Sequence, residues 1–240
     1  PGLTGPEADL RSVVAVAAGW GHNLALRSDG TFEVWGNNEA GQCSAPSRAT
    51  NIVAVAGGRA HSLGLRSDGT VVVWGANNRG QADVPSGLTD AIAVAAGGDF
   101  SLALRANGRV VAWGDIELPP TNLEGVVAMA AGANFALALR SDGTVVQWGD
   151  GAEVGGIPTG LSNVISLAGG WQHALAVVGD GRPVITLPPF PIAAPRNGTL
   201  TLDVRALGTA PLHYQWRRDG IDLTGATEPT LTAPGSEAEL

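Results

Sequence analysis

Short apolar runs rich in Val, Ala and Leu recur along residues 13–187, each cut off by Gly, Asp or Asn. Three such runs make one cycle. The first is small and apolar on both sides, as in Val14-Ala15-Val16-Ala17-Ala18. The second alternates around Leu24 and Leu26, and the third runs from Thr31 to Trp35. Runs of this length bounded by turn residues predict strands rather than helices. Between the second and third lies Ser28-Asp29-Gly30, where Asp can bond its own backbone and Gly accepts the positive φ of a short hairpin loop.

The cycle repeats. Units at 14–36, 53–75, 92–114, 127–149 and 165–187 align without internal gaps. Their turn glycines are Gly30, Gly69, Gly108, Gly143 and Gly181, spaced by 39, 39, 35 and 38 residues. Trp35, Trp74, Trp113 and Trp148 each precede a glycine near the end of a unit, while the fifth unit ends Val184-Ile185-Thr186-Leu187 and lacks the pair. A three-stranded sheet that is apolar on both faces cannot bury them alone, so the units must stack on one another. The expectation is an all-β array in which the tryptophans anchor each unit. The linkers Asn37-Asn38-Glu39-Ala40-Gly41-Gln42 and Ala76-Asn77-Asn78-Arg79-Gly80-Gln81 match, whereas those after Trp113 and Trp148 differ. All are expected on the surface.

Composition narrows the function. Only 15% of residues are charged, all 14 basic residues are Arg, and the net charge is −8. With no concentrated basic stripe, nucleic acid is not an expected partner. Cys43 is the single cysteine, which excludes an intrachain disulfide and a thiolate metal cage. No apolar run approaches the roughly 20 residues that span a bilayer.

The pattern Gly-x-x-His-[Ser/Asn]-Leu-x-Leu-Arg-Ser-Asp-Gly-Thr-x-x-x-Trp-Gly-x-Asn-x-x-Gly-Gln resembles the RCC1 (regulator of chromosome condensation) repeat, and residues 13–187 carry it. The short period is similar to that of bacterial RCC1-like propellers, an inhibitor of a secreted enzyme among them. The resemblance implies a β-propeller. A seven-bladed ring at this period would need roughly 270 residues, so five units are expected to form an incomplete ring. Residues 188–240, with Trp216 as the expected core tryptophan on the third strand, resemble the front half of a bacterial immunoglobulin-like β-sandwich. The expected organisation is therefore an N-terminal segment at 1–12, propeller repeats at 13–187 and a partial immunoglobulin-like domain at 188–240.

Self-alignment also sorts the chemistry, because a residue recurring in every unit is explained by the fold. Asp29, Asp68, Asp142 and Asp180 share the turn position; one per turn tip is too dispersed for the two carboxyls, roughly 5–10 Å apart, of glycoside hydrolysis. His22, His61 and His173 share a position with Phe100 and Phe135. Exchange with Phe points to a packed planar ring, with a backbone carbonyl as the expected partner. Where the units differ, recognition is expected. The two residues before the His/Phe read Trp20-Gly21, Arg59-Ala60, Gly98-Asp99, Ala133-Asn134 and Trp171-Gln172. Trp and Arg dominate interface hot spots, and the resemblance implies that such a ring of loop residues forms a partner-binding face.

The expected function is non-catalytic: a protein-binding scaffold of a secreted or cell-envelope bacterial protein. No cofactor, metal or membrane insertion is expected. The alternatives are an inhibitor of a secreted enzyme, or an accessory module of a larger extracellular hydrolase or lyase. Arg59 and Asp99 are the one opposite-charge pair at ring positions, read as a weak surface ion pair.

Overall fold

Every alternating apolar run of the repeats becomes a strand. The computed structural model describes residues 11–150, 155–188, 199–209 and 211–234. Among them the fold is all-β, with no helix. The first unit pairs β1 (Val13–Ala18), β2 (His22–Arg27) and β3 (Phe32–Gly36) into one antiparallel sheet. The second pairs β4 (Ile52–Gly57), β5 (His61–Arg66) and β6 (Val71–Gly75), the third β7 (Ala91–Ala96), β8 (Phe100–Arg105) and β9 (Val110–Gly114). The fourth holds β10 (Val126–Ala131), β11 (Phe135–Arg140) and β12 (Val145–Gly149). In the fifth, β13 (Val164–Gly169) pairs with β14 (Ala174–Val178).

The fifth unit departs from the three-stranded expectation. Its third run, β15 (Val184–Leu187), leaves β14 and pairs instead with β17 (Arg205–Leu207) of the tail. The missing Trp-Gly is the physical reason. Where the second, third and fourth units end in an indole buried against the preceding sheet and a glycine at positive φ, Thr186 and Leu187 supply neither.

The turn chemistry is as the sequence predicts. Thr31, Thr70 and Thr144 donate both backbone N–H and hydroxyl to the aspartates two residues earlier, at 2.9 and 2.6 Å in each case. Asn107 and Asp180 accept the equivalent backbone bond from Arg109 and Arg182. The Trp-Gly glycines are needed for another reason, the same in all four units. Gly36, Gly75, Gly114 and Gly149 have φ between 87° and 115°, and a Cβ there would come within 2.5–2.6 Å of the carbonyl oxygens of Gly21, Ala60, Asp99 and Asn134.

The sheets stack in sequence, and the core lies between neighbours. Leu63 and Leu65 of the second unit pack with Ala103 and Trp113 of the third; Leu102 and Leu104 of the third pack with Ala136 and Trp148 of the fourth. Leu24, Leu63, Leu102 and Leu137 are 0–3% exposed, each burial contributing roughly 1.5–3 kcal/mol. The linkers are less superficial than expected, because Gln42 and Gln81 are buried at 3% and 0% exposure.

In the tail, β16 (Thr199–Asp203) pairs with β20 (Thr230–Pro234), and β18 (Arg217–Arg218) with β19 (Ile221–Asp222). Leu207 of β17 is buried against Val127, Leu139 and Val164, which ties the tail to the rim of the array. Trp216 differs from its expected place. It sits just ahead of β18, half-buried, with its Nε1 donating to the Glu228 carbonyl at 2.8 Å. It lines an open apolar cleft with Val184, Val204 and Tyr214. Gly198, Ala210 and residues 235–240 of the tail, and Gly151 to Val154 of the fourth linker, lie outside the described residues.

Candidate functional site

A two-residue turn joins the first strand of each unit to the second, and it is built identically five times. The backbone N–H of Gly19 donates to the His22 carbonyl at 2.8 Å, and Gly58, Gly97, Gly132 and Gly170 repeat the bond to His61, Phe100, Phe135 and His173. The glycine makes room for the ring beneath it: a Cβ on Gly58 would lie 2.2 Å from His61 Cε1, and one on Gly97 2.1 Å from Phe100 Cε1. The two turn residues are the variable pairs Trp20-Gly21, Arg59-Ala60, Gly98-Asp99, Ala133-Asn134 and Trp171-Gln172.

The turns then link across units. Trp20 N donates to Gly58 O, Arg59 N to Gly97 O, Gly98 N to Ala133 O and Ala133 N to Trp171 O, at 2.9–3.2 Å. This backbone ladder draws five turns into one hub. There Trp20, Arg59, Gly98, Ala133 and Trp171 line a single cavity of about 240 Å³.

The ladder separates the ten predicted residues into two sets. The first member of each pair faces the hub. The second member has a repeated backbone duty, since the carbonyls of Gly21, Ala60, Asp99 and Asn134 accept from Asn37, Ala76, Asp115 and Asp150 of their own units. Gly98 and Ala133 contribute wall rather than functional groups; both are buried. Asn134 and Gln172 are exposed but do not line the cavity.

The hub's side-chain chemistry therefore comes from few residues. Trp20 and Trp171 are 73% and 47% exposed and stack on each other, with ring centroids 5.3 Å apart. Arg59 Nη2 meets Asp99 Oδ2 at 2.6 Å, and Asp99 also accepts from Gln81 Nε2 at 3.4 Å. With Arg59 more than a third exposed, the pair contributes little to stability and chiefly holds the guanidinium in place.

Beneath the hub runs a relay that the sequence reading missed. His22 Nε2 lies 2.8 Å from Ser62 Oγ of the next unit; Ser62 Oγ donates to Gln42 O, and Trp74 Nε1 donates to the same carbonyl. His61, Ser101, Gln81 and Trp113 repeat it one unit on. Since each serine proton goes to a glutamine carbonyl, the histidine donates its Nε2–H and leaves Nδ1 without a hydrogen or a partner. The histidine thus has a neighbouring hydroxyl as partner, beside an interaction with the backbone of the next unit's ring residue of the kind expected. Burial lowers the pKa of both rings, against a smaller opposing effect of the adjoining backbone, and brings His61 down to about 4.

At the third and fourth units the relay is lost as a set. Phe100 replaces the histidine, Ala136 the serine, the shortened linker carries no glutamine, and Trp148 Nε1 is buried without a partner. The signal was present in the sequence as a pairing between one unit's His/Phe and the next unit's following residue: His22 with Ser62, His61 with Ser101, Phe100 with Ala136, Phe135 with Ala174.

Among the described residues no group of three or more His, Cys, Asp or Glu is placed to hold a metal ion. No helix there is long and apolar enough to cross a membrane. Cys43 lies in the first linker, away from the hub, with Sγ 3.2 Å from Asn37 O, and burial pushes its thiol pKa up.

The repeats match the family described as Regulator of chromosome condensation (RCC1) repeat four times, at residues 13–42, 52–81, 91–115 and 126–153. No curated protein matches the chain by sequence. Among solved structures it is similar to the CRINKLY WD40 ectodomain of the Arabidopsis thaliana receptor kinase ACR4, at 24% identity and a TM-score of 0.56, over 70% of this chain and 61% of that one. It is also similar to Prp20p of Saccharomyces cerevisiae, a structure described with its binding to Gsp1p and histones, at 22% identity and a TM-score of 0.57 over 70% and 56% of the two chains. Human WBSCR16 aligns at 18% identity and a TM-score of 0.53, over 90% of this chain and 67% of that one. At these identities the likeness is one of fold, and the chain spans 61% and 56% of the length of the first two. Four RCC1 repeats, arranged as in RCC1-type propellers, are thereby established.

Proposed function

We propose that this chain is a non-catalytic protein-binding module that engages its partner at the hub. The observation that carries the reading is the convergence of Trp20, Arg59 and Trp171, from three units, on one cavity mouth. Two stacked indoles largely open to solvent and a guanidinium fixed by Asp99 form the kind of rigid, amphipathic patch that supplies most of the energy in protein interfaces. Support of a general kind comes from the fold neighbours, since Prp20p is described as binding Gsp1p and histones and is also seen bound to Kap60. The non-catalytic part of the proposal rests on the assignment of the recurrent acids and histidines to turns and packing. A secreted or cell-envelope bacterial setting, with a partial immunoglobulin-like domain in the tail, belongs to the same proposal and rests on sequence resemblance and the net charge of −8.

The test is selection of peptides from a displayed library on the folded chain, followed by titration against Trp171→Ala and Arg59→Glu. Selected peptides are expected to bind the variants at least tenfold more weakly. Peptides that bind both variants as well as the native chain would place recognition elsewhere.

A further inference from the structure

At the hub the acceptors are engaged and the donors are not. The turn carbonyls of Gly58, Gly97, Ala133 and Trp171 each accept from a neighbouring turn in the ladder. Asp99, the one carboxylate among the ten turn residues, is held by Arg59 Nη2 at 2.6 Å and by Gln81 Nε2 at 3.4 Å. Among the described residues, by contrast, nothing accepts from the indole N–H of Trp20 or of Trp171. Arg59 carries a fork of five N–H groups, and the single carboxylate it meets, already shared with Gln81, does not exhaust them. The side chains at the cavity mouth therefore offer hydrogen-bond donors and aromatic faces.

We propose that the partner taken here is a proline-rich protein segment in the extended polyproline II form. The proposal rests on the hub being the binding face, and it names what that face recognises. Proline fits this set of groups in two ways. Its carbonyl accepts, while it has no N–H to be left without a partner. Carbonyls of such a segment can take the indole and guanidinium donors and ask for no acceptor in return. Its ring is also an apolar surface that packs on an exposed indole. Aromatic-lined grooves bind polyproline II segments on this basis, and the helix is already formed before it docks, so little entropy is lost.

Size and charge agree. The cavity of about 240 Å³ is smaller than the roughly 300–1,000 Å³ of sites that enclose a small molecule. It suits a side chain or two of a larger partner. Its wall is glycine and alanine, with Gly58, Gly97, Gly132 and Ala96 among them, which gives depth without polar side chains. Arg59 and Asp99 neutralise each other. An acidic segment thus gains no net attraction at the mouth, and a basic one brings its charge up to the guanidinium. A β-strand brings N–H groups to turn carbonyls that are already taken. An uncharged segment rich in acceptors meets none of these costs.

The experiment is a fluorescence-polarisation titration of the full chain with two labelled ten-residue peptides, decaproline and a Gly-Ser control. It is run beside the random-library selection described above. Decaproline is expected to bind at least tenfold more tightly than the control. Trp20→Ala and Trp171→Ala should each weaken it at least tenfold, with circular dichroism showing both variants folded, as expected for side chains this exposed. Decaproline binding no tighter than the control overturns the proposal. So does decaproline binding that survives both substitutions. Library peptides that depend on Trp171 but are not enriched in proline would also overturn it, while leaving the hub as the binding face. Library peptides indifferent to Trp171→Ala would remove the binding face itself, and this proposal with it.

Discussion

Trp20 and Trp171 stack at 5.3 Å between ring centroids and 30° between planes, with three whole repeats of chain between them. The contact brings the first and fifth units together at the inner radius of the array, and it forms the open aromatic patch of the hub.

Truncating one partner of this stack should separate binding from stability. Trp171 is 47% exposed, so Trp171→Ala is expected to change stability by no more than about 0.5 kcal/mol, the usual range for a surface substitution. The near-ultraviolet circular dichroism of the stacked pair should fall. A loss of several degrees in melting temperature would show that the indole is a core group instead.

Trp74 should behave in the opposite way. It is 6% exposed, packs with Leu24 and Val72, and donates to Gln42 O at 2.8 Å. Trp74→Ala should cost about 3–5 kcal/mol through the cavity it leaves, read as loss of a sharp thermal transition. An unchanged melting curve would sink the assignment of the indole to the interface between units.

The His–Ser and Phe–Ala pairs should exchange as units. His61→Phe alone leaves Ser101 Oγ without its buried donor, which should cost about 1–3 kcal/mol. Adding Ser101→Ala recreates the combination found as Phe100 with Ala136, and should recover most of the loss. A double-mutant cycle in urea measures this; strict additivity of the two changes would refute the coupling.

Acid should loosen the array in two stages. Burial holds the folded-state pKa of His61 at about 4, while the unfolded chain titrates near 6.5. Between those values the unfolded state takes up a proton that the folded state refuses. Stability is therefore full above pH 6.5 and falls toward pH 4, by about 3 kcal/mol at most for this residue. His22, lowered for the same reason, acts in the same direction. Below pH 4 the turn carboxylates follow: the hydroxyls of Thr31, Thr70 and Thr144 hold Asp29, Asp68 and Asp142 below their usual range, and that contribution is lost on protonation. Urea midpoints from pH 7.5 to 4.5 should decline, and His61→Phe/Ser101→Ala should flatten part of the slope. A midpoint independent of pH over that range would contradict the buried neutral histidines.

Much of the candidate site was legible as position rather than as geometry. The pairs at 20–21, 59–60, 98–99, 133–134 and 171–172 stand out because they vary where the rest of the unit does not. That only their first members face the hub depends on the direction of each side chain in a two-residue turn, which no spacing records. Gln42 and Gln81 were misplaced on the surface for a similar reason: polar residues in a linker look solvated until a neighbouring sheet closes over them.

By itself the sequence determined the strands, the turns and the number of units, because each is a local matter of alternation, Asx-turn chemistry and glycine at positive φ. It also held the His–Ser and Phe–Ala correspondence. Only the tertiary structure decided which groups meet across units, since stacking brings together residues some forty positions apart. It also decided the fate of the fifth unit. Once the Trp-Gly anchor is missing, the third strand goes to whichever edge satisfies its backbone, and that edge belongs to β17.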